Sequence, residues 1–110
     1  MATIFHITER GTWERAKASG TYKADMFAVD GFTHCSTKEQ VLQVANTRFR
    51  GQMGLVLLRI DTDKVGAEIR YENLEGGRQL FPHIYGALNV DAVTDVSPFI
   101  PGADGTFVLP

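Results

Sequence analysis

Histidine is the side chain whose ordinary protonation change lies nearest neutral pH, and this chain has three, each set in an apolar or aromatic run. His6 stands in Ile4-Phe5-His6-Ile7-Thr8, His34 in Gly31-Phe32-Thr33-His34-Cys35-Ser36, and His83 in Phe81-Pro82-His83-Ile84-Tyr85-Gly86. In an extended strand Phe81, His83 and Tyr85 share one face while Leu80, Pro82 and Ile84 share the other. Two polar aromatics opposite an apolar face describe a lined pocket, and the plainer alternative is a half-exposed strand with a wet side. Pro82 within the run and Gly86 after it predict an edge or bend, where side chains are re-aimed at ligands.

Phe32, His34 and Ser36 also share a face, with Thr33 and Cys35 opposite. A helix starting at Ser36 or Thr37 points free N–H groups and a positive dipole end at that corner. His34 beside it suits a phosphate or a ribose hydroxyl; the plainer alternative is that it bonds a backbone carbonyl while the hydroxyls only cap. If the three segments are neighbouring strands, all three imidazoles line one polar cleft.

Other chemistries fit less well. Cys35 and His34 are adjacent on a strand and point to opposite faces, so they do not pair as thiolate and base. Cys35 reads as a small core residue. A zinc site from His6, His34 and His83 lacks any local His-x-His pair, so no metal is assigned. Glu72 shares a face with Arg70 and Glu68, the pattern of a solvated surface. No phosphate-binding Gly-x-x-x-x-Gly-Lys-Ser/Thr loop, Gly-x-Gly-x-x-Gly turn or Gly-x-Ser-x-Gly elbow is present.

The elements that must position these residues follow from the pattern along the chain. At 110 residues the chain is read as one domain, residues 1–110, with 44% apolar and 22% charged residues. A net charge of −2 without a Lys/Arg run argues against an extended nucleic-acid surface. One cysteine excludes an internal disulfide and suits a reducing cytoplasm. No apolar segment is long enough to span a bilayer, and the N-terminus has no signal-peptide pattern.

Ile4-Phe5-His6-Ile7-Thr8 predicts a strand, and Thr12 caps a helix anchored by Trp13 and ended by Gly20. Residues 22–30 read as an irregular crossing. A strand over residues 32–35 follows, and then a helix with Val41, Leu42, Ala45 and Phe49 on its buried face. Its capping box is Thr37 with Gln40 or Ser36 with Glu39. Leu55-Val56-Leu57-Leu58-Arg59-Ile60 is apolar on both faces until Arg59, as a central strand is. Glu68-Ile69-Arg70-Tyr71-Glu72 alternates, with Ile69 and Tyr71 inward; Glu75-Gly76-Gly77 turns, and residues 79–85 return. Residues 92–99 and 106–109 make two last strands, and the tail Phe107-Val108-Leu109 is suited to pairing at a sheet edge or with another chain. The fold class is α+β: about six or seven strands in a largely antiparallel split sheet, with two helices in the N-terminal half.

Ile4-Phe5-His6-Ile7, Gly31-Phe32-Thr33-His34-Cys35-Ser36 with Gln40, and Arg70-Tyr71-Glu72 followed by Phe81-Pro82-His83-Ile84-Tyr85-Gly86 resemble a family of short bacterial proteins of unknown function. That family is grouped by fold with the ADP-ribosyltransferases and RNA 2′-phosphotransferases, and the likeness runs over residues 4–89. It implies a split sheet with a nucleotide cleft between its halves, in which relatives place NAD. It further implies that His6 contacts the nucleotide's ribose and that Ser36 is the polar residue of the second motif strand, with His34 beside it. The leading hypothesis built on it has His6 and Ser36 hold the ribose, while His34 and His83, the catalytic candidates, contact phosphate or move a proton. Tyr85 would be a wall of the cleft and Trp13 its rim. Transferases of this kind carry a glutamate on a late strand, where Val93-Thr94-Asp95-Val96 offers an aspartate. The implied function is transfer or glycohydrolase-like chemistry on NAD or a related nucleotide. Its alternatives are a non-catalytic binding module for such a ligand, and a structural protein whose histidines are satisfied polar groups.

Overall fold

The structure, a computed structural model, describes residues 2–24, 27–74 and 76–110. The middle of the crossing expected over residues 22–30, and Glu75 of the expected turn, lie outside those residues. The fold is α+β, with three antiparallel sheets and three helices among the described residues. In chain order the elements are β1 (Thr3–Glu9), α1 (Arg10–Ser19), β2 (Thr21–Tyr22), α2 (Phe27–Asp30), β3 (Thr33–His34), α3 (Lys38–Arg48) and β4 (Leu55–Asp61). Then come β5 (Glu68–Glu72), β6 (Phe81–Tyr85), β7 (Leu88–Asn89) and β8 (Val93–Phe99), with single 3-10 turns before β5 and β8.

The first sheet has the order β1-β4-β8, and its central strand β4 carries Leu55, Val56, Leu57 and Leu58, all nearly inaccessible to solvent. Both faces are covered, as the continuous apolar run requires. One face, with Ile4, Val56, Leu58 and Ile60, packs on Trp13 and Ala16 of α1 and on Tyr22, Ile84 and Leu88. The other, with Phe5, Ile7, Leu55 and Leu57, packs on Val41 and Ala45 of α3 and on Phe99 and Phe107. Burial of each large aliphatic side chain contributes about 1.5–3 kcal/mol.

The second three-stranded sheet has the order β3-β6-β5, and β2 pairs with β7 in a short third sheet. A single bridge joins the two larger sheets: Phe5 N–H donates to Ser36 O at 2.7 Å and Ser36 N–H to Phe5 O at 2.8 Å. That bridge explains why β3 is shorter than residues 32–35. Cys35 still donates its N–H to Pro82 O at 3.0 Å, but the backbone of Ser36 has already turned to β1.

Helix α1 begins at Arg10, two residues before the expected Thr12 cap. β1 runs directly into it, and Arg10 N–H is satisfied by Gly54 O at 2.9 Å. Gly20 closes it in the left-handed conformation (φ 91°), with its N–H on Ala16 O. In α3 the capping box is Thr37 with Gln40: Thr37 N–H donates to Gln40 Oε1 at 3.0 Å.

Five expectations are corrected. There are three helices, not two, among the described residues, because Phe27–Asp30, in the crossing expected to be irregular, closes a single helical turn. There are eight strands among the described residues, because β2 and β7 are two-residue pairings with little sequence signature. Tyr71 is 47% exposed, since β5 is an edge strand and Tyr71 lies opposite Pro82, past the margin of the core that Ile69 reaches. β6 is a central strand, not an edge: the N–H that Pro82 lacks falls on the side where β3 has come to its end. Residues 106–109 form no strand. Phe107 is instead buried, its ring stacked on Phe99 at 4.6 Å and its N–H held by Asn46 Oδ1 at 2.8 Å.

Leu58→Ala is therefore expected to cost about 2–5 kcal/mol in denaturant unfolding. Tyr71→Ala should change stability by less than about 1 kcal/mol. Comparable losses at both positions would place Tyr71 in the core after all.

Candidate functional site

A cleft of about 430 Å³ opens where the two larger sheets part, and His6, His34, His83 and Ser36 all line it. Its floor is the outer edge of β1. Phe5 turns its backbone groups to Ser36, so those of Ile7, two residues on, face the same way. Beyond the bridge that edge has no strand neighbour among the described residues. Helix α3 supplies a side wall through Val44, Thr47 and Arg48, and Gln40 Nε2 donates to Leu80 O at 2.8 Å, fixing the chain just before β6.

β3 and β6 place His34 directly opposite His83, with ring centroids 5.1 Å apart. Phe32 packs on both, at 4.6 Å from His34 and 4.2 Å from His83. His34 Nε2 bonds Asp30 Oδ2 at 2.9 Å, and the His34 side chain is 42% exposed. His83 is buried, and its Nδ1 bonds Glu72 Oε1 at 2.9 Å. The same carboxylate oxygen accepts the Tyr85 hydroxyl proton, and Arg70 covers the Tyr85 ring at 4.4 Å. The Tyr85 hydroxyl, followed by His83, holds the Glu72 carboxyl below its usual range, while the bond to Glu72 pushes the Tyr85 phenol up.

His6 differs in kind. Its Nδ1 lies 2.5 Å from the backbone O of His34 and its Nε2 2.7 Å from the Tyr22 hydroxyl, which also bonds the Thr8 hydroxyl at 2.9 Å. A carbonyl only accepts, so Nδ1 carries the proton, and Nε2 meets the Tyr22 hydroxyl. Both nitrogens are spent inside the protein. Burial lowers the His6 pKa from 6.5 to about 4, so the ring is neutral at physiological pH. His6 thus joins β1 to β3 and presents ring carbon to the cleft.

The sequence-derived site residues separate accordingly. His34, His83 and Ser36 come together at the cleft wall; Tyr85 stands behind His83, outside the lining. Trp13 does not form a rim. It is buried in the core, 6.4 Å from the Tyr22 ring, and supports the residue that holds His6. Cys35 is buried, and burial pushes its thiol up, away from nucleophile chemistry. Among the described residues no group of three or more His, Cys, Asp or Glu side chains is arranged to hold a metal.

Sequence reasoning missed Glu72, Asp30 and Tyr22. For Glu72 a signal existed: β5 and β6 pair so that Arg70 faces His83 and Glu72 faces Phe81, which puts the two alternating triplets on one shared face. Asp30 and Tyr22 arrive through long-range packing that no local spacing encodes.

Fold and site define a small α+β protein with a histidine-lined cleft between two sheets. By its sequence profile, matched over residues 7–96, the chain belongs to the family described as protein of unknown function DUF952. It is similar to protein CC0527 from Caulobacter crescentus, whose crystal structure is 37% identical with a TM-score of 0.88, covering 97% of this chain and 94% of that one. The crystal structure of a double mutant of CC0527 gives 38% identity and a TM-score of 0.87, with the same coverage. The solution NMR structure of CC0527 gives 37% and 0.84, covering 96% of this chain and 91% of that one. No curated protein matches.

Since the unfolded chain takes a proton at His6 near pH 6.5 and the folded chain only near pH 4, this group's stabilising effect is complete above pH 6.5. It declines as pH falls to 4, by on the order of 3 kcal/mol. His6→Asn keeps a neutral donor for His34 O and cannot titrate. Urea unfolding between pH 7 and 4 should show a shallower loss of stability in that variant; an unchanged slope would mean that His6 is protonated in the folded protein.

Proposed function

We propose that the cleft binds NAD or a related nucleotide, and that His34 and His83 act on the bound ligand in ADP-ribosyl-type transfer or glycohydrolase-like chemistry. The observation that carries this reading is the pair of imidazoles side by side on the cleft wall, each with one ring nitrogen bound to a carboxylate and the other without a partner among the described residues. An imidazole held in this way can serve as a general acid or base. The unpaired edge of β1 offers backbone N–H and C=O groups to a planar amide or base, and the resemblance to the ADP-ribosyltransferase cleft points the same way. A cytoplasmic setting fits a nucleotide ligand; among the described residues no helix is long and apolar enough to cross a membrane.

A second reading, a binding module without chemistry, is favoured by one observation. The late-strand carboxylate, Asp95 on β8, pairs with Arg59 at 3.7 Å and does not line the cleft. Thermal shift with NAD and ADP-ribose tests binding. At a hundredfold excess over Kd a specific ligand adds about 2.7 kcal/mol, or about 10 °C in Tm for a domain of this size. Nicotinamide release from NAD, abolished in His83→Ala, would establish the enzyme; a thermal shift without release would establish the binder. No shift with either ligand would contradict both.

A further inference from the structure

The two cleft histidines are held by carboxylates at opposite ring nitrogens, and this sets what they can recognise. Asp30 stands at Nε2 of His34, while Glu72 stands at Nδ1 of His83. A carboxylate accepts and does not donate, so the imidazole proton lies on Nε2 in His34 and on Nδ1 in His83. In the neutral rings the remaining nitrogens, Nδ1 of His34 and Nε2 of His83, are then bare lone pairs. Neither makes a hydrogen bond to another described residue, and neither is a sealed, unpartnered atom: among the described residues the one such buried side-chain atom is Thr33 Oγ1. Both rings line the cleft.

We infer that Glu72 and Asp30 position His83 and His34 as a pair of hydrogen-bond acceptors facing the cleft, and that the ligand group seated there is a donor pair, the adjacent hydroxyls of a sugar such as ribose, rather than a phosphate. This rests on the reading of the cleft as a nucleotide site and narrows it. A neutral imidazole presenting a lone pair repels an anionic oxygen, whereas a vicinal diol supplies two O–H donors to two neighbouring acceptors. Phe32 wedges against both rings, and against Tyr85 at 5.1 Å, which limits their rotation out of this arrangement. Glu72 is held in turn by the Tyr85 hydroxyl, so the His83 tautomer is set from behind the cleft.

The test is a two-bond 1H–15N correlation spectrum of the unliganded protein at pH 8, which reports each histidine's tautomer, followed by titration with methyl β-D-ribofuranoside and, separately, inorganic phosphate. Expected are Nδ1–H for His83 and Nε2–H for His34, with the riboside shifting the bare nitrogens of both and phosphate shifting neither. In Glu72→Ala the His83 proton should move to Nε2 and riboside affinity fall by about tenfold. Glu72→Gln, which keeps an accepting oxygen, should restore the Nδ1–H form. The unchanged His6 pattern certifies the fold in each variant. The opposite tautomer at either ring in the wild-type protein overturns the inference whatever the variants do. A response to phosphate alone, or to neither probe, overturns the ligand class. A riboside response without nicotinamide release would leave this inference standing while removing the enzyme.

Discussion

The seam between the two larger sheets is the constraint on which the molecule depends. It consists of two backbone hydrogen bonds, Phe5 with Ser36, and one side-chain bond from His6 to the carbonyl of His34. A two-residue strand cannot hold a sheet alone, since isolated short pairings are marginal in water. β3 is fixed because it is gripped on both sides, by β6 through its ladder and by β1 through this seam. Charge at His6 would weaken it, because an imidazolium buried there would lose its hydration. Burial keeps the ring neutral, and Tyr22, backed by Trp13, packs against it.

The cleft exists because the seam is so short. β1 and the chain just after β3 touch at one residue pair and then part, leaving an open strand edge on one side and the His34–His83 wall on the other. The wall is most firmly held at His83. His83 lies in a central strand, buried, with Glu72 behind it and Phe32 against its face. His34 is the more open partner, tied to Asp30 at the end of a single helical turn. One ring is thus fixed by the sheet and the other by a single helical turn.

Much of this architecture is legible in the residues. Period-two alternation assigns His34 with Ser36, and His83 with Tyr85, to shared faces, and the apolar run at 55–60 marks the central strand. The Thr37–Gln40 spacing marks the start of α3. What alternation cannot say is what covers a face. It assigns Glu72 to the correct side of β5, but a face shared with Arg70 and Glu68 looks solvated until β6 is laid beside it. His6 is expected at the cleft, and it is there. Its nitrogens are consumed by partners 28 and 16 residues away, which no local pattern encodes. Pro82 suggests an edge because a proline lacks an N–H, yet the neighbouring strand ends where that donor would be missed. The apolar residues of the tail suggest a strand, and Phe107 spends that hydrophobicity on Phe99 instead.

Native-state amide hydrogen exchange, comparing wild type with His6→Ala, tests the seam most directly. The amides of Phe5 and Ser36 should be protected in the wild-type protein. In the variant they should exchange at least about tenfold faster relative to the amides of β4, as expected when a local opening is released from the global one. No acceleration of Phe5 and Ser36 relative to β4 would show that the Phe5–Ser36 bridge stands without the His6 side chain, and the account of a seam held together by a neutral imidazole would be contradicted.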